Sequence, residues 1–232
     1  MQVWDCASRE GGIKALKKYT TVIFDLDGTL LNTLEDLWNS VNYALRVNGM
    51  QERTREEIRR FVGNGVERLM ELAIPQGKGN PLFSKTYSDF KAHYLCHCND
   101  TTGPYPHIMD MLKKLKESDC RLAIVSNKYM NATQELNRMY FSQYVDVAIG
   151  EKTGIRRKPA PDTVQEAMRE LGSIKEECIY VGDSDVDVAT AGNAGIPCIS
   201  VSWGFRTHEE LLQAGATTFV DDPMEIVQLI NA

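Results

Sequence analysis

The sequence predicts an α/β fold: a doubly wound parallel sheet with an all-helical segment inserted after its first strand. Three observations carry this. The apolar run Val22-Ile23-Phe24 stops abruptly at two carboxylates, Asp25 and Asp27, and short runs of this kind read as strands buried on both faces. From Leu34 to about Thr102, apolar residues recur at helical spacing without a strand signal. From Ile108 onward, short strands alternate with amphipathic helices, the rhythm of a parallel sheet wound with helices.

The elements follow in order. Thr33-Leu34-Glu35-Asp36 reads as a helix start, with Leu34, Leu37, Trp38, Val41 and Leu45 at helical spacing after it. Thr54-Arg55-Glu56-Glu57 is a capping-box pattern, and Phe61-Val62-Gly63-Asn64-Gly65 ends that helix. A helix from Val66 to about Ala73, a Gly-rich loop from Pro75 to Pro81 and a longer helix from Phe83 to Cys98 complete the insertion. Thr101 to Pro106 is a turn-rich boundary. Beyond it come a helix over Ile108–Lys116, a strand over Leu122–Val125, a helix over Met130–Tyr140 and a strand over Val145–Ile149. A helix over Pro161–Leu171 is closed by Gly172. Ile179–Val181 is a strand, and the helix after it ends at Gly195. Pro197–Val201, Thr207–Gln213, Phe219-Val220 and Pro223–Leu229 then read as strand, helix, strand and helix.

A chain of 232 residues holds one large domain, or one domain and a smaller one. Its net charge of −6 gives no basic field for nucleic acid and no attraction to an anionic membrane. Acidity does not exclude a phosphorylated substrate, because a metal ion and a few local cations set the field of a small site. No apolar run approaches the ~20 residues needed to cross a bilayer. Residues 1–18 carry Trp4, Asp5, Arg9 and Glu10 and lack the apolar stretch of a secretory signal. They read as a peripheral extension. Cys6, Cys96, Cys98, Cys120, Cys178 and Cys198 show no framework spacing, which suits free thiols in a reducing cytoplasm.

Three strand ends deliver polar groups to one sheet edge, where open α/β folds bind their ligands. The first gives Asp25 and Asp27, the second Ser126 and Asn127, and the third Asp183 with Asp187 one helical turn on. Lys158 lies in Arg156-Arg157-Lys158-Pro159-Ala160-Pro161, just before a helix. Carboxylates, a hydroxyl and a lysine converging in this way suit phosphoryl transfer, which needs charge neutralisation and positioning above all. The bland alternatives are an acidic turn, a helix-start acid at Asp183, a solvated acid at Asp185 and three solvated cations at 156–158.

The segments resemble, in order, the motifs of the haloacid dehalogenase-like hydrolases. Asp25-Leu26-Asp27-Gly28-Thr29-Leu30 resembles the first, Val125-Ser126-Asn127-Lys128 the second and Lys158-Pro159-Ala160-Pro161 the third. Gly182-Asp183-Ser184-Asp185-Val186-Asp187, with Asn193-Ala194-Gly195 after it, resembles the fourth. Tyr105-Pro106-His107-Ile108 is similar to the re-entry segment of the phosphoglycolate-phosphatase-like branch. The resemblance implies a Rossmann-like three-layer core over 19–32 and 103–232, with a helical C1 cap over 33–102. It implies a phosphatase with Asp25 as nucleophile and Asp27 as general acid and base. Mg²⁺ would be held by Asp25, the backbone carbonyl of Asp27 and Asp183, with Asp187 standing behind these ligands. Ser126, Asn127 and Lys158 would hold the phosphoryl group. The implied substrate is a small phosphorylated metabolite, 2-phosphoglycolate first. Pyrophosphate, 5′-nucleotides and sugar phosphates are the alternatives, and a non-catalytic binding protein is a further one. A monomer or homodimer is expected.

Asn32 stands where many relatives carry Asp, in a position without a catalytic role. Asp27 argues against a dehalogenase, whose second acid is absent. His93, Cys96, His97 and Cys98 are crowded on one predicted helix with no second distant pair, unlike a structural zinc site. Asn64 reads either as a cap residue contacting substrate or as an ordinary helix N-cap. Arg68 reads either as a receptor for a substrate carboxylate or as a solvated helix arginine.

Overall fold

Alternation along three strands settles which face each residue serves. In the computed structural model, which describes residues 19–231, the strand β1 (Thr21–Phe24) puts Val22 and Phe24 into one apolar cluster and Ile23 into another. Leu122 and Ile124 part from Ala123 and Val125 in the same way, as do Ile179 and Val181 from Cys178 and Tyr180. Successive side chains of a strand point to opposite faces, so the sheet is filled on both sides, as a wholly parallel sheet must be.

Chain order begins with β1, then β2 (Leu31–Asn32). Four helices follow: α1 (Leu34–Val47), α2 (Arg55–Phe61), α3 (Val66–Ala73) and α4 (Phe83–His97). Next come β3 (Gly103–Pro104), α5 (Ile108–Glu117), β4 (Arg121–Tyr129), α6 (Met130–Leu136), β5 (Val147–Glu151) and α7 (Asp162–Leu171). The remainder is β6 (Cys178–Gly182), α8 (Asp185–Ala194), β7 (Cys198–Val201), α9 (His208–Gln213), β8 (Phe219–Val220) and α10 (Pro223–Asn231). The main sheet has the order β5-β4-β1-β6-β7-β8, all parallel. Helices α5 and α10 fill one face through Met111, Leu112, Leu115, Ile226 and Ile230. The other face is filled from α7 and α8 by Val164, Ala167 and Ala191.

Helices α1–α4 close on their own apolar cluster, which includes Leu37, Val41, Leu45, Ile58, Met70 and Phe90. Phe205, from the loop after β7, packs into it as well. The two chain segments joining this helical unit to the sheet pair as an antiparallel ribbon, Leu31 with Pro104 and Asn32 with Gly103.

Local signals act unevenly. Thr54 forms its capping box, its hydroxyl accepting from Glu57 N while the Glu57 carboxylate accepts from Thr54 N. Thr33 makes no such bond; the acid three residues on, Asp36, instead accepts from the backbone and hydroxyls of Thr101 and Thr102. The turn-rich boundary contains β3, and the helix begun at Met130 passes into a π-helical turn over Asn137–Phe141. Strand β4 runs four residues beyond Val125, to Tyr129, with a register shift against β5. The extension over residues 1–18 lies outside the described residues.

Candidate active site

Strands β4, β1 and β6 are neighbours at the middle of the sheet, so their carboxyl ends bring Ser126, Asp25 and Asp183 together. Asp25 follows β1 directly and is 8% exposed. Its Oδ1 accepts from Leu26 N at 2.7 Å and lies 2.8 Å from Lys158 Nζ. Lys158 is buried and reaches Asp187 Oδ1 at 2.8 Å as well. It is therefore not one of three solvated cations: Arg156 alone of its neighbours pairs outward, with Asp162.

Asp183 is seated rigidly. Thr29 Oγ1 donates to its Oδ1 at 3.0 Å and Phe205 N to its Oδ2 at 2.7 Å. Gly28 and Gly204 form its cradle: a Cβ on Gly28 would lie 2.4 Å from Asp183 Oδ2, and one on Gly204 would lie 2.1 Å from Asp183 Cβ. Gly28 also holds φ +90°, which a side chain would resist. Ser184, not Asp183, is the N-cap of α8. Asp187 reaches back to accept from Ser184 N and Oγ at 3.0 and 2.5 Å. Its other oxygen accepts from Tyr180 Oη at 2.9 Å.

Carboxylate oxygens of Asp25, Asp183 and Asp187 lie within 4.8 Å of one another. Burial pushes Asp25 well above the ordinary carboxylate range; the Asp187 charge adds to this, and Lys158 only partly offsets it. Asp183 is pushed up to about 7, by burial first and by Asp187 next, against the pull of Phe205 N–H and the Thr29 hydroxyl. Burial alone would depress Lys158, but Asp187 and Asp25 outweigh it and hold the ammonium charged. One cation among three buried acids leaves negative charge in excess, so a divalent cation fits this donor set. Each Asp187 oxygen already takes two donors, Lys158 and Tyr180 at Oδ1 and the N–H and hydroxyl of Ser184 at Oδ2, whereas each Asp183 oxygen takes one, which leaves Asp25 and Asp183 to face an ion.

A narrow cleft enclosing about 40 Å³ lies above these groups. Asp25, Asp27, Ser126, Asn127, Lys128 and Lys158 make its floor, and Leu37, Val62, Gly63, Gly65, Val66 and Leu69 of the helical unit roof it. Ser126 Oγ accepts from Lys128 N at 3.1 Å and keeps its own O–H to donate. Asn127 lines the cleft, but its amide is spent elsewhere: Nδ2 donates to Gly63 O and Lys158 O, and Oδ1 accepts from Lys158 N. It ties the loop carrying Lys158 to the roof. Of the two residues considered for substrate contact from the helical unit, Asn64 is not among the lining residues, although Gly63 and Gly65 on either side of it are, and Gly65 rather than Asn64 is the N-cap of α3. Arg68 does not line the cleft; its guanidinium is about half exposed and pairs with Glu71 at 2.8 Å.

Sequence reasoning passed over Lys128 and Arg206. Lys128 Nζ is 3.0 Å from Asp27 and donates to Tyr94 Oη of α4 at 2.8 Å. The extended run of β4 was its available signal, since a lysine continuing a buried strand needs a counter-charge. Arg206 pairs with Asp185 at 3.0 Å and donates to Arg59 O and Val62 O, at the end of α2. Asp185, read as passive, thereby helps to hold the helical unit; nothing local to Arg206 announces this. His93 and His97 stack on α4, with Nδ1 of each engaged by Ser40 Oγ and Asp100 respectively. The described cysteines form no disulfide with one another, and among the described residues no helix is long and apolar enough to cross a membrane.

The family described as haloacid dehalogenase-like hydrolase matches residues 22–201. A phosphoglycolate phosphatase of Rhodobacter capsulatus is 34% identical over 80% of this chain and 85% of its own length. A phosphoglycolate phosphatase of Aquifex aeolicus is 31% identical over 79% and 85%. A crystal structure from Lactobacillus delbrueckii subsp. bulgaricus, ascribed to the phosphoglycolate phosphatases, superposes with a TM-score of 0.88. It is 37% identical and covers 92% of this chain and 98% of that one. With four ordered motifs, the parallel sheet and the buried acids at its strand ends, the chain belongs to the haloacid dehalogenase-like hydrolases.

Proposed function

We propose that this enzyme hydrolyses 2-phosphoglycolate, through a phosphoryl group carried transiently on Asp25. The observation that carries this is Asp25 held under Lys158 at the floor of a small roofed cleft, with Asp27 beside it. The Asp25 carboxylate oxygen attacks phosphorus as the bond from phosphorus to the ester oxygen breaks. Asp27 gives its proton to the departing oxygen. It then takes a proton from water, whose oxygen attacks phosphorus, and phosphate leaves Asp25 restored. Proton transfer of this kind is worth about 10²–10⁴-fold. Ser126 and Lys158 steady the phosphoryl oxygens. A bound Mg²⁺, held by Asp25, Asp183 and the Asp27 carbonyl, would supply neutralisation of phosphoryl charge. Asp187 fixes Lys158 and the start of α8 and so holds this floor in place.

The cleft's volume favours a small metabolite over a nucleotide, and the printed names of the relatives support phosphoglycolate. In this reading residues 33–102 are a cap that closes over the substrate, and the enzyme acts in the cytoplasm as a monomer or homodimer. Phosphate release from a panel of phosphomonoesters, with Mg²⁺ and with chelator, tests it. The expected result is a Mg²⁺-dependent preference for 2-phosphoglycolate. A flat profile across the panel would reject that substrate, and wild-type turnover by Asp25→Asn would reject the mechanism.

A further inference from the structure

The cleft holds a cation that the proposed chemistry does not use. We infer that Lys128 is the specificity residue of the site: its ammonium takes a carboxylate borne on the carbon next to the substrate's ester oxygen. This rests on the reading of the site as a phosphoglycolate phosphatase. Lys128 and Lys158 are the cations among the described residues lining the cleft. Lys158 is fixed beside the nucleophile by Asp25 and Asp187 and so serves the phosphoryl group. The roof supplies apolar side chains and two glycines, and the Gly63 carbonyl is taken by Asn127. Arg68, the sequence candidate for binding a carboxylate, is paired with Glu71 outside the cleft. Lys128 is thus the cation left for a second anionic group.

Its position suits that task. Asp27 must touch the ester oxygen to protonate it, and in phosphoglycolate the carboxylate follows that oxygen after a single methylene. Lys128 lies 3.0 Å from both Asp27 oxygens, so it stands beside the leaving group. An ammonium carries three N–H donors. Oδ2 of Asp27 and Oη of Tyr94 each take one with hydrogen-bond geometry, while Oδ1 of Asp27 takes none. A donor therefore remains for substrate. Tyr94, buried in the helical unit and stacked on Phe90, is a positioning residue that places the ammonium.

The test compares 2-phosphoglycolate with ethyl phosphate, which matches its carbon count and lacks the carboxylate. Wild-type enzyme should prefer 2-phosphoglycolate in kcat/KM. Lys128→Met should cut that preference about a hundredfold, the scale of losing a desolvated charge partner. Whatever is lost through Asp27 is lost for both substrates and cancels in the ratio, and residual ethyl phosphate turnover reports a folded enzyme. Tyr94→Phe, which keeps the ring, should raise KM for 2-phosphoglycolate several-fold with little change in kcat. An unchanged preference in Lys128→Met overturns the role of Lys128 while leaving the substrate intact. A wild type without the preference overturns the substrate reading, and this inference with it.

Discussion

Lys158 balances the charge of the floor, because its ammonium is the group that both Asp25 and Asp187 meet at 2.8 Å. Breaking a buried pair by removing one partner costs about 3–5 kcal/mol, since the partner charge is left uncompensated. Lys158→Met should therefore lower unfolding free energy by that order in urea titrations and abolish turnover; unaltered stability would contradict this picture of the floor. Asp183 gives a second prediction. Its charge is held off by burial and by Asp187, so a cation that relieves this should bind the folded chain and stabilise it. Mg²⁺ should raise the melting temperature, chelator should reverse the rise, and Asp183→Asn should remove it. These residues are legible in the sequence because each sits at a strand end or beside a proline in motif order. The amide of Asn127 is not, since its partners Gly63 and Lys158 are distant in sequence. Lys128 hides for the same reason, its partners being Asp27 and Tyr94.

At the scale of elements, Asp36 joins the start of α1 to the chain leaving α4. Burial would raise its pKa, but bonds from the hydroxyls and N–H groups of Thr101 and Thr102 outweigh this and lower it. A folded pKa below the unfolded one means stability that is present above about 3.8, the unfolded value, and lost as pH falls through the folded value. Hydrogen bonds to a charged group are worth about 1.5–3 kcal/mol. Asp36→Asn should lose about that much at pH 7 by urea unfolding, and the difference should vanish in acid below the folded pKa. A constant difference at every pH would assign the effect to packing alone. The β elements are legible because a sheet buried on both faces concentrates apolar residues into short runs. The ribbon of β2 and β3 is not: two residues a side carry no periodicity, and pairing across 71 positions, from Asn32 to Gly103, leaves no local trace.

For the whole molecule, polar ties beyond its ribbon hold the helical unit over the strand ends, among them Tyr87 Oη with Tyr129 Oη at 2.7 Å and Arg59 with Glu210 at 3.8 Å. Arg206 caps the carbonyl end of α2, Asn127 takes the Gly63 carbonyl and Lys128 meets Tyr94. Polar ties at the edge of an apolar roof suit a lid that opens to exchange substrate and product. Arg206→Ala should weaken closure, raising KM about tenfold for the loss of roughly 1.4 kcal/mol of contact. Small-angle scattering of the phosphate-bound protein should show a larger radius for that variant than for wild type. Equal radii with unchanged KM would show that Arg206 does not hold the lid.

The central claim is that Asp25 carries the phosphoryl group. Asp27→Asn removes the group that activates water, so the phosphorylated enzyme should accumulate on mixing with Mg²⁺ and acetyl phosphate, whose acetate leaves without needing a proton from Asp27. Acid quenching followed by peptide mass spectrometry should find the mass of one phosphoryl group on the peptide containing Asp25, labile to hydroxylamine. Finding none there, in an Asp27→Asn enzyme that still binds substrate, together with normal turnover by Asp25→Asn, would contradict the account.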